Sequence, residues 1–196
     1  MKLLFVDCCI SQRGKESRTR RLCDAFLDAY REAHPEDRVE SVNLRASTLP
    51  PFTRQMLNER DALLTEKKRN APVFELAQQF AKADKIVVGA PFWDLSFPAK
   101  LRIYMEYISA NGVTYHYDDA GCHGDCKATH LVYLTSGGEL QRENSIGVAY
   151  WQQLSAMFGI EQYDSIFAGG LDLNPGKEGD IMTIACEKAR TLAREF

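Results

Sequence analysis

The residues best equipped for chemistry fall into three short stretches. The first is CCISQRGKESRT, residues 8–19, which delivers two thiols, a lone glycine and three hydroxyls directly after the apolar run MKLLFV. Ser17 and Thr19 stand where a helix should begin. The unpaired N–H groups and partial positive charge of such an end accommodate a phosphate. The same spacing also suits an ordinary strand-to-helix loop in which Ser17 is the N-cap. Nucleotide fingerprints fail here. A P-loop needs G-x-x-x-x-G-K-[ST], but Gly14-Lys15 is followed by Glu16, and no G-x-G-x-x-G is present. A phosphate monoester held by loop and side-chain donors remains open.

The second stretch is APFWDLSFPAK, residues 90–100. Aromatics just beyond a strand suit a flat ring that needs an apolar platform. They also suit packing under the next helix or in a subunit contact. The third is LTSGGEL, residues 134–140, where Thr135 and Ser136 can bond a heteroaromatic edge and Gly137 and Gly138 let backbone approach closely. Cys122 and Cys126 enclose His123 in GCHGDC, half of a metal site. No second Cys/His pair follows at zinc spacing, so no metal is assigned and a surface loop with incidental thiols is expected. His116 and His130 read as structural or surface residues, His116 with a possible place on a pocket rim.

Elements that position these stretches can be read from periodicity. KLLFV, RVESVNL, KIVVGA, ATHLVYLT and YDSIFAG read as five strands. Leu22, Phe26, Ala29 and Ala33 mark a helix ended by His34-Pro35. NERDALLTEKKRN reads as a solvated helix, and Val73, Leu76, Ala77 and Phe80 as an amphipathic one. Another runs from Pro98 to the Asn111-Gly112 stop, one covers about 143–158, and the last spans 180–195. Strands alternating with helices imply an α/β fold, a doubly wound parallel sheet in one domain, 1–196. Ligands bind beyond the carboxyl ends of such strands, where loops 8–19, 91–97 and 135–141 converge. With 45% hydrophobic and 26% charged residues and a net charge of -3, the chain has the composition of a globular protein and no basic surplus for nucleic acid. No apolar run approaches a membrane span, no leader-type segment opens the chain, and the six scattered cysteines fit a reducing cytoplasm.

APFWDLSFPAKLRIYMEYISANGVTYHY, TSGG, MFGI and FAGGLDL together resemble the FMN-dependent NAD(P)H oxidoreductases of flavodoxin-like fold, the azoreductases and quinone reductases, over nearly the whole length. The resemblance implies sheet order 2-1-3-4-5 and a tightly bound FMN. It places Ser17 and Thr19 on the phosphate with Cys9 and Ser11 nearby. Pro91, Phe92, Trp93, Asp94 and Leu95 would lie along the ring and ribityl chain, and Thr135, Ser136, Gly137 and Gly138 at the ring's polar edge. Asp94 departs from the family's usual Asn, and Cys8 and Cys9 from residues that are often Ser or Pro. It further implies a homodimer with a shared active site, with Tyr115, His116 and Tyr117 at the substrate pocket. NAD(P)H would be a transient co-substrate in a ping-pong cycle delivering electrons to quinone, nitro or azo acceptors. No catalytic side chain is required, because the flavin carries the chemistry. The alternative is a flavodoxin-type carrier that turns over no substrate. An iron–sulfur flavoprotein ranks low, since the cysteines lack cluster spacing.

Overall fold

Alternation along β1 (Lys2–Asp7) sends Leu3 and Phe5 to one face and Leu4 and Val6 to the other, all buried. A strand apolar on both faces must be covered on both, and the architecture follows from that. The structure, a computed structural model, describes residues 1–140, 145–173 and 175–196. Leu3, Phe5, Val87, Val132 and Leu134 pack against α1 (Arg18–Ala33) and α6 (Glu178–Glu195). Leu4, Val6, Ile86, Val88, Leu131 and Tyr133 pack beneath α4 (Ala99–Ile108) and α5 (Ile146–Met157).

The central sheet contains β2 (Arg38–Asn43), β1, β3 (Lys85–Gly89), β6 (His130–Ser136) and β7 (Gln162–Ala168), in that spatial order and wholly parallel. Counted within the sheet, this is the expected 2-1-3-4-5 order of a flavodoxin-like fold. The chain runs from β1 outward to β2 and returns to β3, so the topological switch lies between β1 and β3. The strand ends Asp7, Gly89 and Ser136 therefore open toward one side, the side on which such sheets bind ligands.

Three local expectations differ from what is observed. The helix expected at 58–70 is α2, Arg54–Thr65. It starts earlier because the Thr53 hydroxyl accepts from Met56 N–H at 3.2 Å and caps it, and beyond its end Lys67 adopts φ +58°. Helix α4 stops at Ile108, short of Asn111-Gly112, because Thr114 Oγ1 donates to the Ile108 carbonyl at 2.6 Å and accepts from Ala110 N–H at 3.2 Å. The GCHGDC stretch, expected as a surface loop, instead supplies β5 (Gly121–Gly124), which pairs antiparallel with β4 (Tyr115–Asp118) in a hairpin that sets His116 opposite His123. Four-residue strands leave too little alternation to see. Helix α3 is Glu75–Ala81. Residues 143–144 of the helix expected at 143–158, and Gln141 of the third loop, lie outside the described residues. Among those described, no helix is long and apolar enough to cross a membrane.

Candidate functional site

The loops after β1, β3 and β6 border one cleft of about 270 Å³. Ser11, Arg13, Ser17, Arg18 and Thr19 line it from the first loop and the start of α1. Pro91, Phe92 and Trp93 come from the second loop, Ser136, Gly137 and Gly138 from the third, and Asp172 from the segment after β7. Nine residues singled out from sequence thus meet in one place. Backbone bonds lace the loops to the sheet: Cys8 N–H donates to Gly89 O at 2.8 Å, and Phe92 N–H to Ser136 O at 2.9 Å.

One end of the cleft carries hydroxyls and arginines. Ser17 is the N-cap of α1, its hydroxyl accepting from Arg20 N–H at a long 3.4 Å, which leaves the hydroxyl proton free to be donated. The capping role expected of Ser17 is thus observed, and it leaves that proton available to a ligand. Thr19 is 2% exposed, and its hydroxyl shares a 2.6 Å hydrogen bond with Ser136 Oγ, joining the first loop to the third. The first turn of α1 carries Arg18, Arg20 and Arg21 and no acid. Cations there oppose the helix dipole, and two of the three are ion-paired. Arg20 pairs with buried Asp7 at 2.8 Å. Arg18 meets Asp172 at 2.6 Å and Glu178 at 3.1 Å, contacts that raise its pKa.

The other end is aromatic. Phe92 packs edge-on to Phe167 with centroids 5.2 Å apart, and Trp93 is 42% exposed beside it. Gly137 permits this packing, since a Cβ there would lie 3.0 Å from Phe92 and 3.2 Å from Phe167. Trp93 and Ser96 bridge across a two-residue turn in which Asp94 and Leu95 have φ of +49° and +64°. Asn and Asp are the ordinary residues that best tolerate this left-handed region, so Asp94 keeps the turn that an Asn would make. Its side chain is exposed.

The remaining sequence candidates lie elsewhere. Leu95 borders a second cavity of about 170 Å³ with Phe92, Glu139, Leu140, Ser145, Ile146 and Phe167. Thr135 is buried, its hydroxyl without a partner among the described residues. Cys9 belongs to the core beside Cys23, whose thiol is pushed up by its hydrogen bond to Cys9 and by burial. Burial raises Cys8 to about 12, so it stays a protonated thiol. Tyr115, His116 and Tyr117 sit on the hairpin strand β4 and line neither cavity. Tyr115 is half-buried, Tyr117 is exposed, and His116 pairs with Asp125 at 2.8 Å. Cys122 is exposed and Cys126 half-buried, and among the described residues no group of three or more His, Cys, Asp or Glu could hold a metal ion. Arg13, Arg18 and Asp172 were missed from sequence. The available signal was the arginine-rich first turn of α1, which runs against the dipole.

Hydroxyls and guanidinium at one end, flat apolar side chains at the other and glycine backbone beside them fit a phosphate ester joined to a planar heterocycle, which is the chemistry of FMN. Comparison with known proteins shows the family. A family model described as flavodoxin-like fold matches residues 1–192. An FMN-dependent NADH:quinone oxidoreductase of Clostridium perfringens is 31% identical, with alignment over 100% of this chain and 99% of that protein. The protein named FMN-dependent NADH:quinone oxidoreductase 2 of Clostridium acetobutylicum is 32% identical, again over 100% and 99%. The crystal structure of an azoreductase from Bacillus anthracis superposes with a TM-score of 0.88 at 28% identity, covering all of both chains. The chain belongs to the flavodoxin-like fold family, and to the same family as these FMN-dependent NADH:quinone oxidoreductases.

Proposed function

We propose that this protein is an FMN-dependent NAD(P)H oxidoreductase acting on quinone, azo and nitro acceptors, and that residues 1–196 work as one FMN-binding domain. The observation that carries the reading is the cleft itself: an arginine- and hydroxyl-bearing helix N-terminus faces an aromatic wall at the switch point of the sheet. When bound, FMN would take a pair of electrons from a nicotinamide and return them to an acceptor. The chain's share is to hold and shelter the reacting groups. Ser11, Ser17, Thr19 and Arg18 take the phosphate, and Pro91, Phe92 and Trp93 flank the ring. Backbone groups at Gly137 and Gly138 meet its polar edge. Nicotinamide and acceptor use the same space in turn, which gives a ping-pong pattern and requires no acid or base from the chain.

Trp93, Leu95, Leu140 and Ile146, all exposed, surround the two cavities and form an apolar face. Such faces mark interfaces, and a second copy covering this one would exclude water from the site, with Tyr115, His116 and Tyr117 contributed near the shared pocket. Six free thiols suit the cytoplasm. The test begins with the absorption spectrum of the purified protein and the mass of the extracted cofactor. Stopped-flow mixing should then bleach the flavin with NADH or NADPH, and menadione should restore it. A flavin inert to both nicotinamides would turn the reading into a single-electron carrier.

A further inference from the structure

We propose that Arg18 is an exchangeable phosphate clamp, oriented by Glu178 and contested by Asp172. The inference deepens the FMN reading and rests on it. Arg18 lies between Ser17 and Thr19 at the hydroxyl-bearing end of the cleft, and its two carboxylate partners engage it in different ways. Glu178 takes the guanidinium edge in a fork, with Nε to Oε1 and Nη2 to Oε2 both at 3.1 Å. Asp172 meets only the other end, Nη1 to Oδ1 at 2.6 Å.

Their settings differ as well. Glu178 opens α6, where the helix dipole favours an acid, and its side chain is one-third exposed. It is anchored, and its fork fixes the plane of the guanidinium. Asp172 lies in the loop between β7 and α6, 65% exposed, and lines the cleft. It rests so close to Gly138 that a Cβ there would come within 2.2 Å of its Oδ2. An exposed single contact to a carboxylate is weak, and a phosphate makes a stronger partner for the same N–H groups. The Nη1 end is the one that can change hands.

One guanidinium facing two carboxylates leaves the cluster negative, so Asp172 repels the incoming phosphate and also competes for its donor. Glu178 carries the same charge but supplies the orientation. The two acids of one arginine therefore act in opposite directions on cofactor affinity, which a purely structural ion-pair cluster would not do.

The experiment compares FMN with riboflavin, which lacks the phosphate. FMN release from holoprotein on dilution is measured first, then rebinding of both flavins after extraction. Arg18→Gln should weaken FMN by at least about tenfold and leave riboflavin unchanged. Asp172→Asn should tighten FMN by a few-fold, Glu178→Gln should weaken it, and neither should move riboflavin. Equal losses for both flavins in Arg18→Gln would make Arg18 structural and overturn the clamp, as would weaker FMN binding in Asp172→Asn. FMN binding indifferent to all three substitutions overturns the clamp alone. Binding of neither flavin by the wild type overturns it together with the FMN reading.

Discussion

At the scale of single residues, the site depends on hydroxyls with two duties. Ser17 caps α1 and offers a proton to the cleft, whereas Thr19 ties Ser136 to the helix. The double change Ser17→Ala with Thr19→Ala should cost at least tenfold in FMN affinity, since each hydrogen bond to a charged group is worth about 1.5–3 kcal/mol. A titration matching the wild type would return Ser17 to capping alone. Thr19→Val by itself leaves the buried Ser136 hydroxyl unpaired and should lower stability by about 1–3 kcal/mol in denaturant melts. Trp93 offers an optical check, because the chain's other tryptophan, Trp151, is fully buried in the core. FMN should quench the exposed indole strongly, and a Trp93→Phe variant should lose most of that quenching. Persistence of the full effect would place the ring away from Trp93.

Secondary-structure elements differ in how firmly they are held. Asp84 accepts from Lys2 N–H at 2.6 Å and pairs with Lys127, joining β1, β3 and the segment before β6. These contacts, Lys127 first, hold its carboxyl below the ordinary range. A depressed folded-state pKa stabilises the fold above the unfolded value of about 3.9, and the benefit is lost as pH falls through the folded value. Below about pH 4, wild-type stability should therefore drop, and Asp84→Asn, already weaker at pH 7, should show a flatter acid limb. Parallel limbs would remove Asp84 from the account. By contrast, α2 has no fully buried residue, while α1 buries eight of its sixteen. Local opening follows burial, so amide exchange should be fastest in α2 among the helices, and protection equal to α1 would show that another surface covers it.

For the whole molecule, the question is what covers the apolar rim of the site. Sedimentation should give twice the chain mass of 22.2 kDa. Ile146 is 57% exposed at the start of α5 and borders the second cavity. Ile146→Glu should leave the fold of the chain intact, because nothing buried is disturbed, yet shift the protein to monomer and slow turnover with menadione. A monomeric wild type with full activity would end the shared-site proposal.

The alternation of short apolar runs with amphipathic segments determined, from sequence alone, the doubly wound sheet and the three loops at its carboxyl edge. Those signals are local, since a strand buried on both faces and a half-buried helix each write their periodicity into adjacent residues. Ser17, Thr19, Phe92 and Trp93 were legible for the same reason: they stand immediately beyond recognisable elements. The hairpin at 115–124 was not, because strands of four residues carry almost no periodicity. Nor was the start of α2, where one capping threonine outweighed a diffuse charge pattern. Tertiary structure alone decided that Arg18 meets Asp172 across 154 positions of chain, and that Gly137 clears space for Phe92 against Phe167. It also withdrew Cys9 and Thr135 into the interior. Proximity of that kind depends on how parallel strands are ordered and how far each loop reaches, quantities that no neighbouring residues encode.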